Sequence, residues 1–361
     1  MKKFMTGRLL AVVTAILFLN TTLSAQIQGD FLKGGINDGM KVIEAYMAPW
    51  AKAFGAGFSG GWYNTAKPHK LGGFDITVTV SAGLVPESET SFDLASLDFE
   101  QLVLVNPSGS TIAPTIAGAG NPGPSLRKVV TSGPYQIEVA NFETPKGTGI
   151  GIFPVPMAQV GIGLPMGTEL KGRFIPRLNI ADGDIFMWGV GLKHSIMQYI
   201  PGNKLLPVDV SLFGGFTKLS GYMPINVQPD SYDNYVTYNF TSFADQNVAA
   251  SITGWNASVI ASLNVPVLTL YGGLGYASSR TVIDITGNIP LPEADPLIST
   301  TGPVFKDSGV ISEISGIDIQ DFSGLRANIG LRVKFAIFTI HADYTRSQYN
   351  VYTGGFGISF R

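Results

Sequence analysis

The chain has 361 residues, of which 45% are hydrophobic and only 14% charged, well below the ~25% charged share usual for soluble domains. Cysteine is absent, which excludes disulfides, thiolate metal sites and a cysteine nucleophile. The net charge of −2 leaves no electrostatic footprint for nucleic acid, so no nucleic-acid partner is expected.

The first predicted element is a signal peptide over residues 1–25. Lys2, Lys3 and Arg8 form a basic start, Leu9 to Leu19 an apolar run of eleven residues, and Leu23-Ser24-Ala25 a small-residue cleavage site. The run is too short for a membrane span, which takes about 20 residues. Cleavage before Gln26 leaves 21 basic and 26 acidic groups, a net −5. No later segment offers a spanning helix, so the exported chain is expected to be soluble or a β-barrel.

Residues 26–55 predict a helical plug or cap. Ile36, Met40, Ile43, Met47, Trp50 and Phe54 recur at spacings of three and four, giving one apolar stripe. Asn37 suits the N-cap, and Pro49 predicts a kink.

Gly61 to Thr77, GWYNTAKPHKLGGFDIT, reads as a hairpin at a membrane rim. Trp62 falls on the lipid-facing side of a short first strand, Phe58 to Asn64. Lys67-Pro68-His69-Lys70 forms a polar turn closed by Gly72-Gly73, and Phe74 opens the next strand. As a turn residue, His69 is expected to tolerate alanine.

From residue 56 to 361 the pattern has period two, the mark of strands with one greasy and one wet face. Segments start at Phe74, Met157, Thr168, Asp184, Pro207, Ile252 and Val267. In Phe322 to Phe335, Leu325, Ala327, Ile329, Leu331, Val333 and Phe335 oppose Arg326, Asn328, Arg332 and Lys334. AIFTIHADYTR and VYTGGFGISFR continue the alternation. Polar faces rich in Gly, Ser, Thr and Asn, and apolar faces with aromatics near strand ends, predict an all-β antiparallel transmembrane barrel with a water-filled interior. Ten strands are strong. Phe58 to Asn64, Phe99 to Val105 and Val129 to Phe142 raise the expected total to 12 or 14, in keeping with even strand numbers. Long loops are expected near 85–128, 222–248 and 283–321, with tight turns at Leu164-Pro165-Met166-Gly167 and near Phe335-Ala336.

The last strand, YTGGFGISFR, resembles the C-terminal signal by which the barrel assembly machinery recognises its clients, although Arg361 follows the aromatic Phe360. The resemblance implies that machinery and outer-membrane lipid as partners. GWYNTAKPHKLGGFDIT with MKVIEAYMAPWAKAFGAGFSG before it resembles an uncharacterised Bacteroidota family of outer-membrane β-barrel proteins. More distantly, the chain is similar to the long-chain fatty acid transporter class, whose barrels carry an N-terminal plug. That likeness transfers no ligand site.

Candidate chemistry is sparse. Gly57-Phe58-Ser59-Gly60-Gly61 matches G-x-S-x-G, but a nucleophile elbow needs a strand, a sharp turn and then a helix. A Gly-rich strand is the simpler reading. His341 beside Asp343 has the chemistry of a base, or of a lumen hydrogen-bonder. Asp182-Gly183-Asp184 and Asp318 to Asp321 lack a calcium-loop register. No catalytic residue, metal site or cofactor is assigned, and no enzyme activity is expected. By alternation Lys171, Arg173, Arg177, Lys193, Arg326, Arg332, Lys334, His341 and Asp343 line the lumen, as do Glu169 and Asp209. Such a basic interior either favours anionic solutes or braces the barrel with ion pairs. The expected function is a channel or transporter for small, including hydrophobic, molecules. The alternatives are a structural or surface-interaction barrel with an occluded lumen, and a barrel-embedded lipid hydrolase using Ser59 and His341.

Overall fold

The computed structural model describes residues 36–132, 135–180, 183–201, 207–225, 245–289 and 311–360. The signal peptide expected over residues 1–25 and most of the 222–248 loop lie outside them.

The period-two segments become strands that close into one antiparallel barrel. Its members are β1 (Phe74–Leu84), β7 (Ile152–Leu164), β8 (Thr168–Ile180), β9 (Gly183–Ser195), β10 (Val208–Pro224), β11 (Asn247–Asn264), β12 (Leu268–Ile289), β13 (Ile311–Phe335), β14 (Phe338–Arg346) and β15 (Val351–Phe360). β1 closes the circle, pairing with β15 (Phe74 opposite Phe360) and with β7 (Phe74 opposite Ile162). The barrel has ten strands, which corrects the expected 12 or 14. Each of the ten strong periodic segments found a place in the wall, and each of the three weaker ones did not. Phe58 to Asn64 is not a strand. Phe99 to Val105 holds only β3 (Leu102–Leu104), and Val129 to Phe142 contributes to β5 (Ser125–Ser132) and β6 (Tyr135–Glu143). These three pair with one another in a small side sheet.

That side sheet belongs to an insertion between β1 and β7, a folded cap where a long loop was expected. Besides β3, β5 and β6 it contains a second sheet of β2 (Ser91–Asp93) and β4 (Ile112–Pro114). At the expected loop of 283–321, residues 283–289 and 311–321 are strand, and the rest lies outside the described residues. β12 and β13 run 22 and 25 residues, far beyond the ~9–11 needed to cross a bilayer.

One rim carries tight connections. Leu164 joins β8 through a three-residue connection, residues 165–167, in which Met166 and Gly167 both have positive φ (56° and 59°), a conformation that tight hairpin turns use. The turn after β13 uses Ala336 at φ 53°. The cap and the long hairpin lie at the opposite rim.

Outward side chains form the apolar band of a membrane-spanning barrel, with Ile162, Leu192, Leu212, Val259, Leu270 and Leu331 among those on the outer face. Phe74, Phe335, Phe338 and Phe360 ring the short-turn rim, Phe74 and Phe360 stacking at 5.7 Å. A second ring contains Phe174, Trp188, Phe216, Trp255, Tyr276, Tyr344 and Tyr352, with Trp255 on Tyr276 at 5.7 Å and Tyr344 on Tyr352 at 5.2 Å. The rings are separated by about eight residues along each strand, so by roughly 20 Å at a ~3.3 Å rise and ~40° tilt, close to the ~25 Å band of outer-membrane barrels.

The helix α1 (Ile36–Ser59) has 24 residues, contains Asn37 and runs through Pro49 as one element. It thus extends past the expected boundary at residue 55. It starts beneath the cap, where Val42 and Tyr46 pack with Leu94, Leu102, Ala113, Leu126 and Phe142. From there it descends into the barrel, where Phe58 packs with Val155, Met157, Met187, Leu219 and Ile252.

Candidate functional site

The lumen is the natural place for function, and it is filled. Beyond Ser59 the chain continues through the interior to the short-turn rim, where β1 begins. The stretch GWYNTAKPHK is therefore the lower half of a plug, not a hairpin at the membrane rim. Trp62 is 2% exposed and sits inside the wall with Tyr63, Ala66, Phe213, Ile260 and Tyr271, which corrects its expected lipid-facing position.

Wall glycines make room for this segment. A Cβ at Gly191 would lie 2.8 Å from the Trp62 ring, one at Gly215 2.9 Å from the same ring, and one at Gly273 2.5 Å from the Tyr63 hydroxyl. At Gly83 a Cβ would lie 2.0 Å from the Ala53 carbonyl oxygen of α1. Small inward residues suggested an open aqueous interior. They instead admit bulky side chains from the plug.

Three tiers of polar contacts hold the plug. In the uppermost, Asp38 accepts from the backbone amides of Glu100, Gln101 and Leu102 at 2.7–3.0 Å and lies 3.6 Å from Lys41. Burial disfavours its ionised form, yet these amides and the Lys41 ammonium outweigh it and hold the carboxyl below its ordinary range. Nearby, Lys52 pairs with Glu89 at 3.0 Å, and the Tyr349 hydroxyl donates to the same carboxylate.

The middle tier caps the C-terminus of α1. A helix end leaves its last carbonyls without intrahelical partners and carries partial negative charge. No basic residue stands in the last turn of α1. The wall supplies the cations instead. Arg173 donates to the Phe58 oxygen at 2.8 Å, the Gly60 oxygen at 2.5 Å and Gln159 Oε1 at 3.0 Å, with Cζ 3.7 Å from the centroid of Trp62. Arg326 donates to the Ser59 oxygen, and Asn256 Nδ2 reaches the same oxygen at 2.9 Å. Gln159 also donates to the Trp62 carbonyl at 3.1 Å.

The lowest tier is an ion cluster centred on Glu169, which is fully buried. Its carboxylate lies 2.8 Å from Lys171 Nζ, 3.0 Å from Lys193 Nζ and 2.9 Å from His69 Nδ1, and it accepts the His69 backbone N–H at 2.9 Å. Asp75 stands 3.7 Å from Lys171 and 3.8 Å from His69. Lys193 also donates to the Thr65 and Lys67 carbonyls at 3.4 and 3.3 Å. His69 thus ties the plug to the wall instead of standing in a turn at the membrane rim. The cluster of His69, Asp75 and Glu169 has spacing suited to a metal, but two ammonium groups already neutralise its carboxylates.

The nine residues expected to line the lumen separate accordingly. Lys171, Arg173, Lys193, Arg326, Arg332, His341 and Asp343 are buried inside, with Asp343 accepting from Tyr271 at 3.0 Å, while Lys334 is half-buried near the short-turn rim. Arg177 departs from the set. A register shift in β8 between Ile175 and Leu178 turns it out, 71% exposed and 3.5 Å from Asp184. Of the two acids added to that set, Glu169 centres the cluster, and Asp209 accepts from Asn264 Nδ2 at 2.7 Å. Sequence reasoning missed Gln159, Asn256 and Asn328, the last accepting from the Tyr63 hydroxyl at 2.7 Å. Their inward register in strands was visible, but their partners were assigned to a different element.

The G-x-S-x-G match lies at the end of a helix and not in a strand. Ser59 Oγ donates to the Gly55 oxygen at 3.4 Å, and no base contacts it among the described residues. Both ring nitrogens of His341 are buried without a hydrogen-bond partner there.

Among solved structures, the chain is similar to the translocator domain of the autotransporter NalP from Neisseria meningitidis, with 11% identity and a TM-score of 0.30 over 81% of this chain and 89% of that one. It is also similar to the outer membrane protein OprG from Pseudomonas aeruginosa, with 11% identity and a TM-score of 0.30 over 81% and 98%. A third likeness is to Ail, the attachment invasion locus protein of Yersinia pestis, with 8% identity and a TM-score of 0.23 over 80% and 98%. No curated protein matches the chain. The family model of DUF6588, described as a family of unknown function, matches residues 1–360, and this ten-stranded plugged barrel belongs to that family.

Proposed function

We propose that the protein is an outer-membrane channel or transporter for small molecules, including hydrophobic ones, seen with its N-terminal plug in the closed position. The short-turn rim then faces the periplasm and the cap faces outward, as in barrels with short periplasmic turns. One observation favours passage over a permanently sealed core. The inward hydroxyls of Thr79, Thr217 and Ser279 are buried around the plug without a partner among the described residues. A settled core satisfies its polar groups, whereas a lumen that admits water or solute uses such hydroxyls as lining. The distant likeness to the fatty acid transporter class adds the same idea of a plug, without a ligand.

The chain lacks cysteine, so a single engineered pair can lock the plug. A Cβ built on Gly60 lies 2.9 Å from Ser81 Oγ, about the 3 Å that separates Cβ from the far sulfur of a disulfide. In Gly60→Cys/Ser81→Cys protein, conductance and liposome swelling are expected to fall at least tenfold on oxidation and to recover on reduction. Equal permeation in both states, or none in either, removes the channel.

The second reading is a structural barrel with an occluded lumen that acts through its cap. The two-sheet fold of residues 85–151 over one rim favours it. No catalytic step is assigned to Ser59 or His341.

A further inference from the structure

A cavity of about 400 Å³ opens at the short-turn rim, between the exit of the plug and the wall. Lys67, His69 and Lys70 enter it from the plug, Arg332 and Lys334 from β13, and Ser359 from β15. No Asp or Glu lines it among the described residues. Ser359 Oγ gathers two of the basic groups, lying 3.1 Å from His69 Nε2 and accepting from Lys334 Nζ at 3.3 Å. Arg332 is 8% exposed, and its Nε has no hydrogen-bond partner among the described residues.

The neighbouring carboxylates are already engaged. Glu169 is shared by Lys171, Lys193 and His69, and Asp75 accepts from Thr77 at 3.0 Å and faces Lys171. Asp209 accepts from Asn264. Among the described residues, Lys67, Lys70, Arg332 and Lys334 form no salt bridge. An ion-pair ladder that merely braces the barrel would pair its cations, as the Glu169 cluster does. Here four cations converge on one space without a direct ion pair, with Asp75 and Glu169 within electrostatic reach of Arg332 but held by other partners.

We propose that this cavity binds a phosphate-bearing small molecule, with its phosphate held between the plug exit and β13. A guanidinium presents a planar fork of donors that suits phosphate oxygens, and lysines add mobile point charges. The convergence of four cations favours a dianion over a single carboxylate. The volume lies at the small end of the ~300–1,000 Å³ typical of ligand pockets, which is room for a sugar phosphate rather than a bare ion. Binding requires no movement of the plug, so the inference goes beyond the channel reading and is independent of whether anything passes.

The test is equilibrium binding to the refolded full chain in neutral detergent at constant ionic strength, with glucose 6-phosphate, glucose and dihexanoyl phosphatidylglycerol as probes. Saturable binding of glucose 6-phosphate, with none of glucose, is expected. Affinity is expected to fall at least tenfold in Arg332→Gln and in the double variant Lys67→Gln/Lys70→Gln, and to be unchanged in Arg177→Gln at the other rim. Displacement by the short-chain phospholipid would identify a lipid headgroup as the source of the phosphate. Failure to displace would identify a free ester, and both outcomes support the site. The proposal is overturned if glucose 6-phosphate does not saturate, if glucose binds equally, or if the double variant, whose side chains are exposed, binds as the parent does.

Discussion

At the scale of single residues, the interior is organised by charges that answer specific partial charges on the plug. Arg173 and Arg326 meet the carbonyl end of α1, and Glu169 gathers two ammonium groups and an imidazole. Glu169→Gln leaves Lys171 and Lys193 without their shared carboxylate. Removing one partner from a buried ion group costs about 3–5 kcal/mol. The variant is expected to unfold at a correspondingly lower urea concentration. Arg173→Gln loses charge-assisted bonds to two plug carbonyls and the cover over Trp62, a loss of about 3 kcal/mol. Its expected signature is a red shift of Trp62 emission, measured in a background with the other three tryptophans replaced by phenylalanine. Asp38 gives a pH dependence. Its carboxyl is held below the ordinary aspartate value of about 3.9, so docking of α1 under the cap has its full strength above that value. That contribution is lost as pH falls through the lowered value. Protease nicking of the cap is expected to rise on acidification in the parent chain. In Asp38→Asn it is expected to be high already at neutral pH and nearly flat. A pH profile identical in the two proteins would contradict this role.

At the scale of elements, plug and wall are shaped to each other. Gly83, Gly191, Gly215 and Gly273 are wall positions where a Cβ would collide with Ala53, Trp62 or Tyr63. Gly83→Ala pushes against α1 backbone, which cannot rotate aside, and overpacking of this kind costs about 1–3 kcal/mol. Faster proteolysis of residues 36–59 with an intact barrel is the expected result. Rapid loss of the whole barrel would mean that plug and wall fold as one unit. The same elements show how far sequence reasoning reached. Strand alternation located all ten wall strands because each has one face in lipid and one inside, and that contrast is written in the side chains. The plug's lower half, residues 60–73, misled for the same reason. Its aromatics resemble girdle residues in composition, and only the chain path shows that they face inward. The side sheet of β3, β5 and β6 misled too, since strands that pair beside a barrel carry much the same local signal as strands within it.

At the scale of the whole molecule, the protein is a wall of ten strands, a plug through its centre and a cap over one rim. The three parts are coupled, since α1 packs against the cap at one end and passes between the wall arginines at the other. A displacement of the plug would therefore involve the cap as well. The sequence by itself determined the membrane-facing alternation, the inward charges and the helix before the barrel, because burial in lipid and helical amphipathicity are imposed residue by residue. Tertiary structure alone decided that the lumen is occupied, that the inward glycines are seats for Trp62 and Tyr63, and that the basic residues divide into a paired cluster at Glu169 and a group at the rim without direct ion pairs. Those outcomes depend on which segment threads the barrel and on where strand register brings distant side chains together. Local periodicity carries neither.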